Sequence, residues 1–245
     1  MSVHSLLTVR HIRLVSGLVM FAYLTQHLLN HALGLFSLKL AEAGLELAIL
    51  FWRNPVATVF LYGAAAVHFA LALWTLYSRR EWRLPWIEVL RLTAGFSFPL
   101  LLIGHAVSAR LGDTLFDIRP SYTSIIGTLV AVGAEGTQLA LFAPGWLHGC
   151  LGLWITLRRF ETMQRIKLLL IAIIILIPLA AGLGFLNMTA EVLALGPRPP
   201  VSPERLAEQA VLGDWRDHLK TGYLAIVAAA FLLGRVRAFA FNRLA

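Results

Sequence analysis

The chain has 245 residues, of which 58% are hydrophobic and only 14% charged, with a formal net charge of +8 and a mean hydropathy of +0.74. A soluble domain carries nearly twice that charged fraction, and the apolar residues fall in blocks of about 20, the length that crosses a bilayer as helix. The fold class this implies is an all-α integral membrane protein. The excess charge sits at the ends of the apolar blocks, where it orients spans, so nucleic acid is excluded as a partner and membrane lipid is expected. The single cysteine, Cys150, excludes internal disulfides, CxxC redox pairs and covalent haem attachment through CxxCH.

In chain order the sequence predicts six transmembrane helices, at about 14–36, 56–77, 90–109, 137–157, 165–187 and 221–241. The first is too long for a cleavable signal and has no small-residue cleavage site after it. Segment 121–134 is apolar but short and reads as an interfacial or re-entrant lead-in to the fourth span, in which Pro144 is expected to introduce a kink. An outer loop is expected over 188–220, with a short surface helix at 203–212 begun by Ser202 and Pro203 and ended by Gly213. Thirteen Lys and Arg flank one side of these spans and eight the other. The positive-inside rule then makes both termini cytoplasmic. The whole of 1–245 reads as one membrane domain, with 1–160 a four-helix unit and 161–245 two additional spans.

Two internal matches stand out. "RLVSGLVMFAYLTQH" (Arg13–His27) pairs with "RLTAGFSFPLLLIGH" (Arg91–His105): each is Arg-Leu-x-x-Gly, nine residues, then His. "HFALALWTLYSRR" (His68–Arg80) pairs with "HGCLGLWITLRR" (His148–Arg159). The first four spans therefore look like a duplicated two-helix unit, whose copies in a membrane are related by an axis along the normal. In an up-down bundle, consecutive helices are neighbours, and spans one and three, like two and four, face each other across the core. His27 then opposes His105, and His68 opposes His148. Two imidazoles facing each other in an apolar core are the axial ligand set of a b-type haem, so two bis-histidine b-type haems are the expected cofactors.

Gly17, Gly63, Gly95, Gly104, Gly149 and Gly152 are expected to leave room for a flat macrocycle. Counted at 1.5 Å per residue from the flanking arginines, the two histidine levels differ by only about 5 Å, closer than two stacked macrocycles allow. The mismatch eases if Arg13 and Arg91 lie a turn inside the membrane, where they would pair with the propionates of the inner haem. His31 has no partner in the repeat and is expected to touch a haem propionate or a quinone. Two quinone sites are open: an outer one at His31, Arg53, Tyr122 and Glu135, and an inner one at Arg10, His11, Arg13, Ser16 and Arg91.

The histidines, with "RLVSG", "QHLLN" and the His148-to-Trp154 stretch, resemble the diheme cytochrome b anchor of succinate dehydrogenases and fumarate reductases. That resemblance implies His27 and His105 on the outer haem and His68 and His148 on the inner one. Over essentially the whole chain, with "TQHLLNHALGLF" and "FWRNP", the sequence is more similar to the N-terminal membrane anchor of a group of bacterial class III adenylyl cyclases. This implies a quinone-responsive redox sensor followed by ferredoxin-like and cyclase domains, with a homodimer left open. The chain itself carries no cysteine cluster and no cyclase catalytic residues. The sixth span favours the cyclase anchor, since the respiratory anchors commonly have five. A quinone-reactive respiratory anchor is the alternative, and a haem-free helical scaffold or transporter is the third reading.

Overall fold

A computed structural model describes residues 3–196 and 201–244, and every regular element among them is helical. The elements are α1 (Val3–Leu33), α2 (Leu38–Trp52), α3 (Pro55–Ser78), α4 (Trp86–Ala106), a π-helical turn (Val107–Leu111), α5 (Gly112–Phe116), α6 (Tyr122–Val132), α7 (Glu135–Leu157), α8 (Glu161–Arg165), α9 (Lys167–Ala194) and α10 (Pro203–Leu244). Among the described residues six stretches are long and apolar enough to cross a membrane: Thr8–Leu33, Pro55–Ser78, Trp86–Phe116, Glu135–Leu157, Lys167–Ala194 and Pro203–Ala240. The protein is an all-α membrane protein.

Local chemistry sets most of the boundaries. The Ser37 hydroxyl accepts from the Leu40 N–H to open α2, and the Asn54 amide oxygen accepts from the Ala57 N–H, with Pro55 at the first position of α3. Ser121 caps α6 in the same way, and Gly133, at φ +64°, ends it in the left-handed conformation that glycine adopts without strain. The short apolar segment is thus a separate helix ahead of the fourth span. Pro144 lies inside α7.

Two elements depart from the sequence reading. Residues 38–52, outside every predicted span, form a full helix. The outer loop expected over 188–220 contracts to the residues between Ala194 and Pro203, because α9 runs on to Ala194 and α10 is continuous from Pro203; residues 197–200 lie outside the described part. Gly213 does not stop the helix. One interior glycine costs only about 1 kcal/mol, and the polar turns around it are exposed, with an Arg205–Glu208 ion pair one turn after the start.

The packing order differs from a simple up-down ring. α1 packs along α3 and α7, and α4 packs along α7. The consecutive spans α3 and α4 do not pack along each other; α10 lies between them and touches both. Gly234 makes this possible, since a Cβ there would meet the Tyr77 carbonyl at 2.7 Å. Deeper in, the Tyr223 hydroxyl donates to the Phe96 carbonyl on α4 at 2.6 Å, while its ring stacks on Phe69 of α3. α9 closes the opposite side against α1, α6 and α7. The apolar core has two parts, one around Tyr122, Ile126, Phe185 and Met188, the other around Leu28, Phe142, Trp146 and Cys150.

Candidate functional site: two histidine pairs in the bundle core

His68 on α3 and His148 on α7 face each other with ring centroids 6.1 Å apart and planes at 85°. The same surroundings recur on both sides, in the register of the repeat. A Cβ at Gly17 would lie 3.3 Å from His68 Cε1, and one at Gly95 would lie 2.6 Å from His148 Cε1 and Nδ1. These two glycines clear space for the imidazoles themselves rather than for a macrocycle. His148 Nδ1 lies 3.0 Å from the Arg91 carbonyl, which can only accept, so Nδ1 carries the proton. His68 Nδ1 lies 3.2 Å from Ser16 Oγ. That hydroxyl already donates to the Arg13 carbonyl at 3.1 Å, so it accepts from His68 Nδ1–H. Both rings are held in the tautomer that leaves Nε2 with a free lone pair.

Arg13 and Arg91 belong to this end of the site. Arg13 Nη2 reaches the Thr75 hydroxyl at 2.8 Å and the Leu71 carbonyl at 3.4 Å, one to two turns inside α3 rather than at its tip. Arg91 pairs with Glu88 at 3.0 Å, and Glu88 also holds Arg79 at 2.9 Å. Two guanidiniums thus share one carboxylate, and Arg91 Nε is buried without a hydrogen-bond partner among the described residues. Such a cluster suits added anionic groups. Arg10 and His11, grouped with them in the sequence reading, are exposed.

At the other level, His27 on α1 and His105 on α4 have ring centroids 5.7 Å apart with planes at 68°. The Gln138 amide lies 3.2 Å from His105 Nδ1. Tyr23 stacks on His27 at 5.9 Å. His31, one turn beyond His27, meets its ring edge-on at 4.8 Å. It is enclosed by Tyr122 at 5.1 Å, Phe142 at 4.9 Å and Phe185 at 6.1 Å. Only 2% of His31 is exposed, and neither ring nitrogen has a hydrogen-bond partner among the described residues. An imidazole buried without a partner is costly, so this cage has a polar demand that the surrounding protein does not meet.

Of the other outer-site residues, Tyr122 joins the cage, and its hydroxyl accepts from Asn30 Nδ2 at 2.9 Å. Arg53 is committed elsewhere, to an ion pair with Asp113 and to the Ala109 carbonyl. Glu135 begins α7 and makes no hydrogen bond or ion pair with this group among the described residues. Of the remaining glycines expected to border a macrocycle, Gly149 is packed under the Phe21 ring, Gly63 and Gly152 face open space, and Gly104 has only the Arg216 side chain within 4 Å.

Gln138 and Tyr223 escaped the sequence reading. Gln138 had a signal: it is a buried amide within an apolar span, where polar groups mark function. Gln138→Leu is expected to weaken retention of any metal group held by the His27–His105 pair about tenfold, the usual effect of losing a hydrogen bond to a ligand imidazole. Cofactor titration of the apoprotein measures this, and equal affinity in the variant would show that the amide does not orient His105.

A metal–imidazole bond of about 2 Å on each side puts two ring centroids about 6 Å apart. Both pairs have this spacing. The described residues contain no cluster of three or more His, Cys, Asp or Glu placed to hold a metal ion. No protein-family model, curated protein or solved structure matches the chain.

Proposed function

We propose that this chain is a diheme b-type cytochrome of the bacterial inner membrane, with both termini cytoplasmic, that senses the redox state of the quinone pool and regulates a cytoplasmic adenylyl cyclase domain. The observation that carries the haem reading is the pair of diagonal imidazole contacts at 5.7 and 6.1 Å. A haem bound at each pair would supply one-electron chemistry in a dry core. The chain's own residues do the rest. Ser16 and the Arg91 carbonyl fix the imidazole tautomers at one level, and Gln138 orients a ring at the other. Arg13 and Arg91 offer positive charge to propionates. His31 and Tyr122 offer hydrogen bonds to a quinone carbonyl in a cage otherwise apolar.

The cyclase part of the reading rests on the resemblance of "TQHLLNHALGLF" and "FWRNP", and on the even number of spans. A cytoplasmic ferredoxin-like and cyclase segment following Ala245 would support it; respiratory partner subunits would favour the alternative of a succinate dehydrogenase or fumarate reductase anchor.

The direct test is a reduced-minus-oxidised absorption spectrum of the purified chain, with haem quantified against protein. Two haems per chain are expected, and none would leave the scaffold or transporter reading. In reconstituted protein, His31→Ala and Tyr122→Phe are each expected to slow quinol-driven haem reduction about tenfold, the worth of one buried hydrogen bond, and Arg10→Ala to leave it unchanged. The reverse pattern would move the quinone to the Arg13–Arg91 end.

A further inference from the structure

A second polar feature lies apart from the histidine core. The connector from α3 to α4 and the last turns of α10 enclose an open cleft of about 560 Å³, lined by Arg80, Glu81, Trp82, Arg83 and Arg235. Three guanidiniums against one carboxylate leave it cationic. Its floor is fixed. Trp82 packs edge-on against Phe231 with centroids 5.1 Å apart, and Arg235 Nη1 reaches the Arg80 carbonyl at 3.4 Å. The Trp82 indole N–H is buried and has no hydrogen-bond partner among the described residues. Nearby, Arg79 is already engaged by Glu88, so that carboxylate does not neutralise the cleft.

We propose that this cleft binds the phosphate of an anionic phospholipid. Arg83 and Arg235 hold the phosphate oxygens, and Trp82 Nε1 donates to an oxygen of the headgroup or glycerol. Two further observations favour a lipid over a free anion. The cleft is far larger than one phosphate. It also lies where three spans end, beside large exposed apolar side chains: Trp86 is 73% exposed, Leu232 60%, Val236 67% and Phe239 59%. Leu232, Val236 and Phe239 recur at helical spacing and make a continuous apolar strip on α10, along which acyl chains can lie. Basic pockets between transmembrane helices recognise anionic headgroups by this combination of fixed charge and adjoining apolar surface.

The test uses the full 245-residue chain in detergent, titrated with dioleoyl phosphatidylglycerol, dioleoyl phosphatidylcholine or sodium phosphate, with bound lipid read by native mass spectrometry. One phosphatidylglycerol is expected to bind about tenfold more tightly than phosphatidylcholine. Arg83→Gln combined with Arg235→Gln is expected to weaken it about thirtyfold, at the usual worth of an arginine beside an anionic lipid. Trp82→Phe, which loses only the indole donor, is expected to weaken it about threefold. Arg158→Gln with Arg159→Gln removes equal charge from another connector and is expected to change nothing. Should the first double variant lose wild-type helicity by circular dichroism, Arg83→Gln alone reads the same quantity at about fivefold. Equal binding of the two lipids would overturn the proposal. So would equal losses in both double variants, which would mean unspecific attraction. Displacement of phosphatidylglycerol by an equal concentration of sodium phosphate would also overturn it, assigning the cleft to a free anion.

Discussion

His68→Ala and His148→Ala are each expected to lower the haem content from two per chain to about one, with the same haem lost in both variants. His27→Ala and His105→Ala are expected to lose the other. Each pair joins two helices that do not pack along each other: α1 and α4 for His27–His105, α3 and α7 for His68–His148. Removing one imidazole would therefore leave one proposed haem site with a single histidine, without dismantling the helix contacts around the second. Spectra of the four variants, taken with the haem-to-protein ratio, decide the matter. Loss of the same haem from His27→Ala and His68→Ala would dissolve the pairing. His31→Ala is expected to retain both haems, since His31 lies beyond the His27–His105 pair; a fall to one would make it a ligand.

The largest loss of stability is expected from Gly184→Val. A Cβ at Gly184 would lie 2.2 Å from the His31 carbonyl oxygen, and one at Gly34 would lie 2.6 Å from the Gly184 carbonyl. Both obstacles are backbone, so neither can turn aside. The side chains that follow fasten the same crossing. Asn187 donates to the Gly34 carbonyl at 2.8 Å, Met188 packs against Gly34, and the Glu191 carboxylate accepts from the Leu38 N–H at 3.0 Å. Positions 184, 187, 188 and 191 form one face of α9. A valine at 184 must push α9 from α1, at a cost of about 3 kcal/mol. Gly182→Val supplies the control, because its Cβ would meet only the flexible end of Leu139 at 3.9 Å; it is expected to change stability by about 0.5 kcal/mol or less. Thermal unfolding in detergent measures both. Equal losses would mean that valine's helix propensity, not the crossing, sets the effect.

The six spans were legible because membrane helices must be long, apolar and bounded by charge. The diagonal neighbours His27–His105 and His68–His148 were legible because the repeat places each at a matched position. Less was legible where the signal was local. Residues 38–52 carry a good cap in Ser37, but their apolar end merges with the next span and hides a separate helix. The charges from Asp214 to Lys220 read as a loop, yet no proline after Pro203 interrupts α10, and exposed polar turns are compatible with helix. The glycines were read by type alone. Whether a glycine clears an imidazole, as Gly95 does, a phenyl ring, as Gly149 does, or another backbone, as Gly184 does, depends on crossings that sequence periodicity does not encode. Ser16 was singled out for its position near arginines, whereas its hydroxyl serves His68.

The place of α10 between α3 and α4 bears on the order of events during biosynthesis. The five earlier spans emerge first and carry all four paired histidines, but they leave one flank of the enclosure without a wall. A macrocycle of the kind proposed above would then have a lateral way in, without prising helices apart along their length. Docking of α10 shuts that flank, with Gly234 letting it approach α3 and Tyr223 catching the Phe96 carbonyl on α4. For such a group, loading would precede final assembly, with α10 the wall added last of these six spans.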